Sequence, residues 1–146
     1  ATTEIYTLSL HDAFRSNWKL NGSLDSVKQL ISGITAGEGD TGNTQIAVCP
    51  PFVYIPLVAN LLADSKVAWG SQDIADQESG AFTGEIAGAM LKDFGCSYAI
   101  VGHSERRSIY GEDDDFTARK FAAARKAGLT PILCVGETLE RTKIKM

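Results

Sequence analysis

Apolar positions in this chain follow two alternating rhythms. Leu24, Val27, Leu30, Ile31 and Ile34 recur at the three- and four-residue spacing of one helical face. Ser23 stands before them as a cap, and Asp25 lies in the first turn, where the helix dipole favours a negative charge. Gly37 and Gly39 close the segment. Gln45–Cys49 is then a short continuous run of the kind buried in a parallel sheet, stopped by Pro50 and Pro51, which cannot donate to a ladder. Phe52, Ile55, Val58, Ala59 and Leu62 return to helical spacing, with Pro56 tolerable only near that helix's start. Residues 66–70 predict a strand. Residues 71–85 have no periodicity, contain Gly80 and Gly84, and predict a long loop, a feature that in compact domains usually carries function. Ile86, Met90, Leu91 and Phe94 predict a short helix closed by Gly95, and Tyr98–Val101 a strand. Residues 113–126 predict a helix, acidic at its start, basic at its finish and ended by Gly128. Residues 130–136 predict another strand, and 137–146 can begin one more helix.

Strand and helix alternate with short connections, which implies right-handed βαβ units and an α/β fold with a parallel sheet. Residues 1–16 fit this scheme least. Within them, 3–10 can form a strand with Ile5, Thr7 and Ser9 on one face and Tyr6, Leu8 and Leu10 on the other.

Composition narrows the picture. A chain of 146 residues fits one domain with a real core. With 44% hydrophobic and 22% charged residues it reads as folded and soluble rather than disordered. Fourteen basic side chains against 18 acidic ones, with no basic run, argue against a nucleic-acid partner. Cys49, Cys96 and Cys134 are far apart and form no paired motif, which argues against a metal site or disulfide framework and for a reducing cytoplasm. No apolar run approaches the ~20 residues of a membrane span, and no signal peptide is expected.

The candidate chemistry lies in Tyr98-Ala-Ile-Val-Gly-His-Ser-Glu-Arg-Arg107, an apolar run that ends in glycine and passes at once to a histidine and charged residues. That is the form of a buried parallel strand delivering a polar site at its carboxyl end. Read with Asn17-Trp-Lys-Leu-Asn-Gly22 and Gly80-Ala-Phe-Thr-Gly-Glu85, it resembles the triosephosphate isomerase family, from about Asn17 to about Arg141.

The resemblance implies a TIM (β/α)₈ barrel. A complete one takes roughly 250 residues and eight strands, so this sequence is expected to hold about the first five βα units as an open partial barrel, an amino-terminal fragment. It also implies a cofactor-free, metal-free, cytoplasmic homodimer of glycolysis and gluconeogenesis. Its substrates would be small phosphorylated trioses, interconverted by proton transfer through an enediolate. Within this family pattern His103 matches the electrophile, and Lys19 matches the substrate-binding lysine that sets a fixed positive charge beside phosphate and enediolate oxygens. Asn17 matches an active-site asparagine, and Glu105 a second carboxylate near the lysine. Ser104 is implied as a partner of the resting base, with Cys134 and Glu137 near the fifth strand's end. Phe82, Thr83 and Gly84 form the implied tip of a loop reaching into a partner subunit.

Each of these has an alternative reading: a satisfied turn histidine, a solvated lysine, a turn asparagine, a Glu105–arginine salt bridge, a packing cysteine, a structural ion pair at Glu137 and a solvated loop. The family's first strand should precede Asn17 directly, yet residues 12–16 are poor barrel-core material. Residues 1–16 are therefore expected to be an atypical, foreign segment, with a divergent genuine strand as the alternative, and 17–146 the barrel part. The family's catalytic glutamate, in a Tyr-Glu-Pro segment after a sixth strand, and its later glycine-rich phosphate loops do not occur in 1–146. The alternative function is a non-catalytic half-barrel that works by association with a complementary chain.

Overall fold

A computed structural model of the chain describes residues 4, 5 and 13–136. Strands β1 (Glu4–Ile5), β2 (Ala13–Asn17), β3 (Gln45–Cys49), β4 (Ala68–Ser71), β5 (Tyr98–Val101) and β6 (Thr130–Val135) form one sheet in the order β1-β6-β5-β4-β3-β2. From β2 to β6 every neighbour is parallel and spatial order follows chain order, so the sheet advances by one strand per βα unit. The five parallel strands form an open partial barrel rather than a closed ring.

The register brings the carboxyl ends Asn17, Cys49, Ser71 and Val101 to one rim. At the far edge β1 runs antiparallel to β6, Glu4 opposite Val135 and Ile5 opposite Cys134. Ala13–Asn17 takes the first parallel position, each residue from Ala13 to Asn17 facing one from Gln45 to Cys49. This strand straddles the boundary expected at residue 16. The helix suggested for 137–146 and most of the strand suggested for 3–10 lie outside the described residues.

The helices α1 (Leu24–Gly37), α2 (Ile55–Leu61), α3 (Gly88–Asp93), α4 (Ser104–Tyr110) and α5 (Asp114–Lys126) connect the strands. Helix α1 begins where the sequence places its cap: the Ser23 hydroxyl accepts from the Ser26 N–H and the Ser26 side chain answers the Ser23 N–H. Only Val27 and Ile31 of its apolar positions are fully buried, while Leu24 and Leu30 stay exposed. Each fully buried aliphatic contributes about 1.5–3 kcal/mol, so Val27 and Ile31 fix this helix on β3. They meet Val48, Val58, Leu62 and Val67 in one cluster. A second cluster packs Ile55, Ile74, Leu91, Val101 and Ala124 between β5 and the outer helices. A third, of Cys49, Ile100, Ile132 and Cys134, lines the other face of the sheet. Strands β4 and β5 approach so closely at Gly70 that a Cβ there would clash with the Tyr98 carbonyl oxygen.

Helix α4 is the element that apolar periodicity alone does not define. Its first five residues are polar or charged, it ends in the exposed Ile109 and Tyr110, and it starts directly after β5, at the rim. Among the described residues no helix is long and apolar enough to cross a membrane.

Candidate active site

The rim residues assemble by short-range rules. Strand β5 ends in Val101, and Gly102 turns the chain at φ +70°. A side chain there would be strained, and its Cβ would lie 2.6 Å from the Thr117 methyl. Gly102 thus lets His103 follow a buried strand at once. His103 is the N-cap of α4, and its ring, not a hydroxyl, performs the capping: Nδ1 accepts from the Glu105 N–H at 3.1 Å. A nitrogen that accepts cannot carry the proton of a neutral imidazole, so that proton is on Nε2. Nε2 is buried and has no hydrogen-bond partner among the described residues. His103 itself is 3% exposed. Burial, aided by the Lys19 cation and opposed by Glu105, holds its pKa below the usual histidine range, which keeps the ring neutral.

Lys19 comes from the other side of the rim, in the turn after β2. Its Nζ lies 2.8 Å from Glu105 Oε1, and Glu105 Oε2 lies 3.5 Å from His103 Nδ1. The hydrogen bond from Lys19 is the main reason the Glu105 pKa is lowered; burial opposes it, and the Lys19 charge adds to it. Lys19 is the only described non-glycine residue with positive φ, at 54°. That left-handed conformation costs about 1–2 kcal/mol. Asn17 supports it, since its Oδ1 accepts from the Lys19 N–H at 2.9 Å. Asn21 Nδ2 donates to the Trp18 carbonyl, and the Trp18 N–H donates to Cys49 O.

Among the sequence-predicted residues, the structure brings His103, Lys19, Glu105 and Asn17 together. Ser104 opens α4 and is exposed, and its carbonyl accepts from the Ser108 hydroxyl. Cys134 lies in the packed cluster with Cys49, its thiol pushed up to about 11, chiefly by burial. Glu137 lies outside the described residues. Phe82, Thr83 and Gly84 are exposed at the outer end of the loop that follows β4. An apolar groove of about 310 Å³, lined in part by Phe52, Ile55, Met90 and Phe94, contains none of the site residues. No cluster that could hold a metal ion occurs among the described residues.

Sequence reasoning missed a second layer. Lys120, 1% exposed, donates to Asp73 Oδ1 and Glu112 Oε1, each at 2.7 Å. Arg106 Nε reaches the other oxygens of the same two carboxylates, at 3.2 and 2.5 Å. Two cations and two carboxylates therefore bind α4 to α5 and to the loop after β4. Lys120 lies in the buried stripe Thr117, Lys120, Ala124; a lysine at a core-facing helical position was the available signal. Gln72, first after β4, was visible only by its place at a strand's carboxyl end.

The family model for triosephosphate isomerase matches residues 13–146. The chain belongs to the triosephosphate isomerase family. The triosephosphate isomerase of Vibrio sp. (strain ANT-300) is 51% identical over 125 residues, covering 86% of this chain and 50% of the relative. That of Methylococcus capsulatus is 53% identical over 125 residues, with the same two coverages. The crystal structure of triosephosphate isomerase from Bartonella henselae superposes with a TM-score of 0.86 at 35% identity, covering 93% of this chain and 56% of that one. The chain spans about half the length of the curated triosephosphate isomerases it matches. This matching span is the family's amino-terminal part, and the likeness in fold extends to the open sheet described above.

Proposed function

We propose that this chain supplies the electrophilic half of a triosephosphate isomerase active site, which interconverts dihydroxyacetone phosphate and glyceraldehyde 3-phosphate. A base takes a proton from the carbon beside the carbonyl, the electron pair moves onto the carbonyl oxygen, and the proton returns to the neighbouring carbon. In the roles established for triosephosphate isomerase, a neutral histidine donates to that oxygen while a glutamate serves as the base. His103 takes the first role, with Nε2–H facing the developing oxyanion. Lys19 sets a positive charge beside the enediolate and phosphate oxygens, Glu105 holds Lys19 in place, and Asn17 orders the turn that presents it.

The observation that carries this reading is the use of Nδ1 as the helix cap. It leaves a neutral ring with one unpartnered, buried donor beside a lysine–carboxylate pair. Phe82, Thr83 and Gly84 suit a dimer contact, with Thr83 reaching the neighbouring subunit's turn at Asn17, and the reaction needs no cofactor. The cytoplasm is the compartment that three free buried thiols suit.

Residues 1–146 alone contain no Tyr-Glu-Pro segment, so as an isolated polypeptide they have negligible isomerase activity. Absence of a positioned base costs about 10²–10⁴-fold, before the missing phosphate loops are counted. The test is to join residues 13–146 to the carboxyl-terminal half of the Vibrio relative and assay both directions. Turnover is expected, falling by about 10²–10³ in His103→Ala, as when one oxyanion donor is removed. A folded chimera with no more turnover than His103→Ala overturns the proposal.

A further inference from the structure

We infer that Gln72 is a positioning residue that holds Lys19 in its left-handed conformation and so aims its ammonium at Glu105. This rests on the site reading above. Gln72 is the first residue after β4, and its side chain crosses the rim. Its Nε2 donates both hydrogens, to the Lys19 carbonyl at 2.9 Å and to the Cys49 carbonyl at 2.9 Å. Cys49 ends β3 and also accepts from the Trp18 N–H at 3.1 Å. One amide therefore joins the carboxyl ends of three successive strands, and it does so at the strained residue.

The physical consequence is local. The Lys19 N–H is held by Asn17 Oδ1 and its carbonyl by Gln72, so the peptide units on both sides of its Cα are fixed. At φ 54° the Cα–Cβ bond leaves the chain in a direction that an ordinary negative φ does not allow. A lysine freed of either anchor relaxes to negative φ, because only glycine occupies the left-handed region without cost. Its Cβ then swings away, and the long side chain no longer spans the rim to Glu105. Lys19 and Glu105 are both half-exposed, so their ion pair is too weak to hold that backbone unaided. The second carbonyl keeps the Gln72 side chain itself from rotating.

The experiment uses trace labelling of lysines with acetic anhydride, read by mass spectrometry on the intact chain. Gln72→Met keeps the length and removes both donors; Gln72→Glu keeps the shape and sets a carboxylate against two carbonyls. In either variant, Lys19 acetylation is expected to rise about two- to fivefold, the factor an exposed ion pair can contribute. It should approach the rate in Glu105→Gln, while Lys28 and Lys66 stay constant. A fall in melting temperature with an unchanged Lys19 rate would reduce Gln72 to a structural role and overturn the inference.

Should both variants fail to fold, the wild-type chain decides. Slow exchange of both Gln72 amide protons by NMR supports the clamp, and exchange at the free rate overturns it. Labelling does not depend on turnover. An unchanged Lys19 rate in a folded variant removes the clamp and leaves the isomerase reading standing. A raised rate beside an inactive folded chimera supports the clamp and removes only the isomerase reading.

Discussion

Lys120→Met tests how the second layer holds the rim. Methionine replaces the lysine stem with little change in volume, so the perturbation is electrostatic. The mutation leaves Asp73 and Glu112, 13% and 5% exposed at their side chains, to share Arg106 alone. Removing one partner from a buried ion pair costs about 3–5 kcal/mol, because a buried charge is left uncompensated. Arg106 still touches both carboxylates, which places the expected loss near ~3 kcal/mol. Domains of this size are stable by about 5–15 kcal/mol, so the effect is large. Urea unfolding followed by circular dichroism reads it directly. With a slope of about 1.5–2 kcal/mol/M, the midpoint falls by ~1.5–2 M. Adding Glu112→Gln then removes the excess charge and should cost less than it does in the wild type, a coupling of ~1 kcal/mol or more. A stability loss below ~0.5 kcal/mol, or two mutations that simply add, would refute the idea that this cluster is a compensated buried unit.

Three further outcomes follow from the same geometry. Stability should fall on acidification: the pKa of His103 is lowered in the fold, so its contribution is complete above its ordinary value of 6.5 and is lost as pH drops below it. Glu105, also lowered, contributes above its ordinary 4.5 and loses that contribution as pH falls further. Urea midpoints at pH 7 and pH 5 should differ less in His103→Gln than in the wild type; an equal difference contradicts the assignment. Gly102→Ala should cost about 1–3 kcal/mol from the left-handed backbone, with the contact to Thr117 adding to it, and a variant of wild-type stability would show that the turn is not fixed. Cys49 is pushed up to about 12, and Cys96 and Cys134 to about 11, chiefly by burial. All three should resist a thiol reagent at pH 8 until the chain unfolds, and rapid native labelling of any one would contradict its burial.

Much of the framework was legible because it rests on local rules. Ser23, Gly95, Asp113 and Gly128 mark helix ends by their capping and turn chemistry, and the runs at Gln45–Cys49 and Tyr98–Val101 agree with the strands found. The strand expected at 66–70 lies at Ala68–Ser71 instead, since its pairing is set by β3 and β5 and not by its own composition. Leu30, Met90 and Phe94 match helical spacing but stay about half exposed, because periodicity gives a face and not the extent of what covers it. Helix α4 has no apolar stripe to reveal it; the His103 ring and the Arg106 and Arg107 side chains tie it in place. In the site, motif residues were readable by identity. The clamp at Gln72 and the partners of Lys120 were not, because they join residues 23 to 53 positions apart or lie on a polar loop.

The proposed function turns on His103 being a neutral donor through Nε2, and ¹⁵N NMR of the histidine ring measures that directly. At pH 7 the expected spectrum has a protonated Nε2 and a bare Nδ1, and in the folded chain the ring takes up its second proton only below the ordinary histidine value of 6.5. A ring protonated on Nδ1, or one that becomes imidazolium near pH 6.5 in the folded chain, would contradict the capping geometry and the electrophile role built on it.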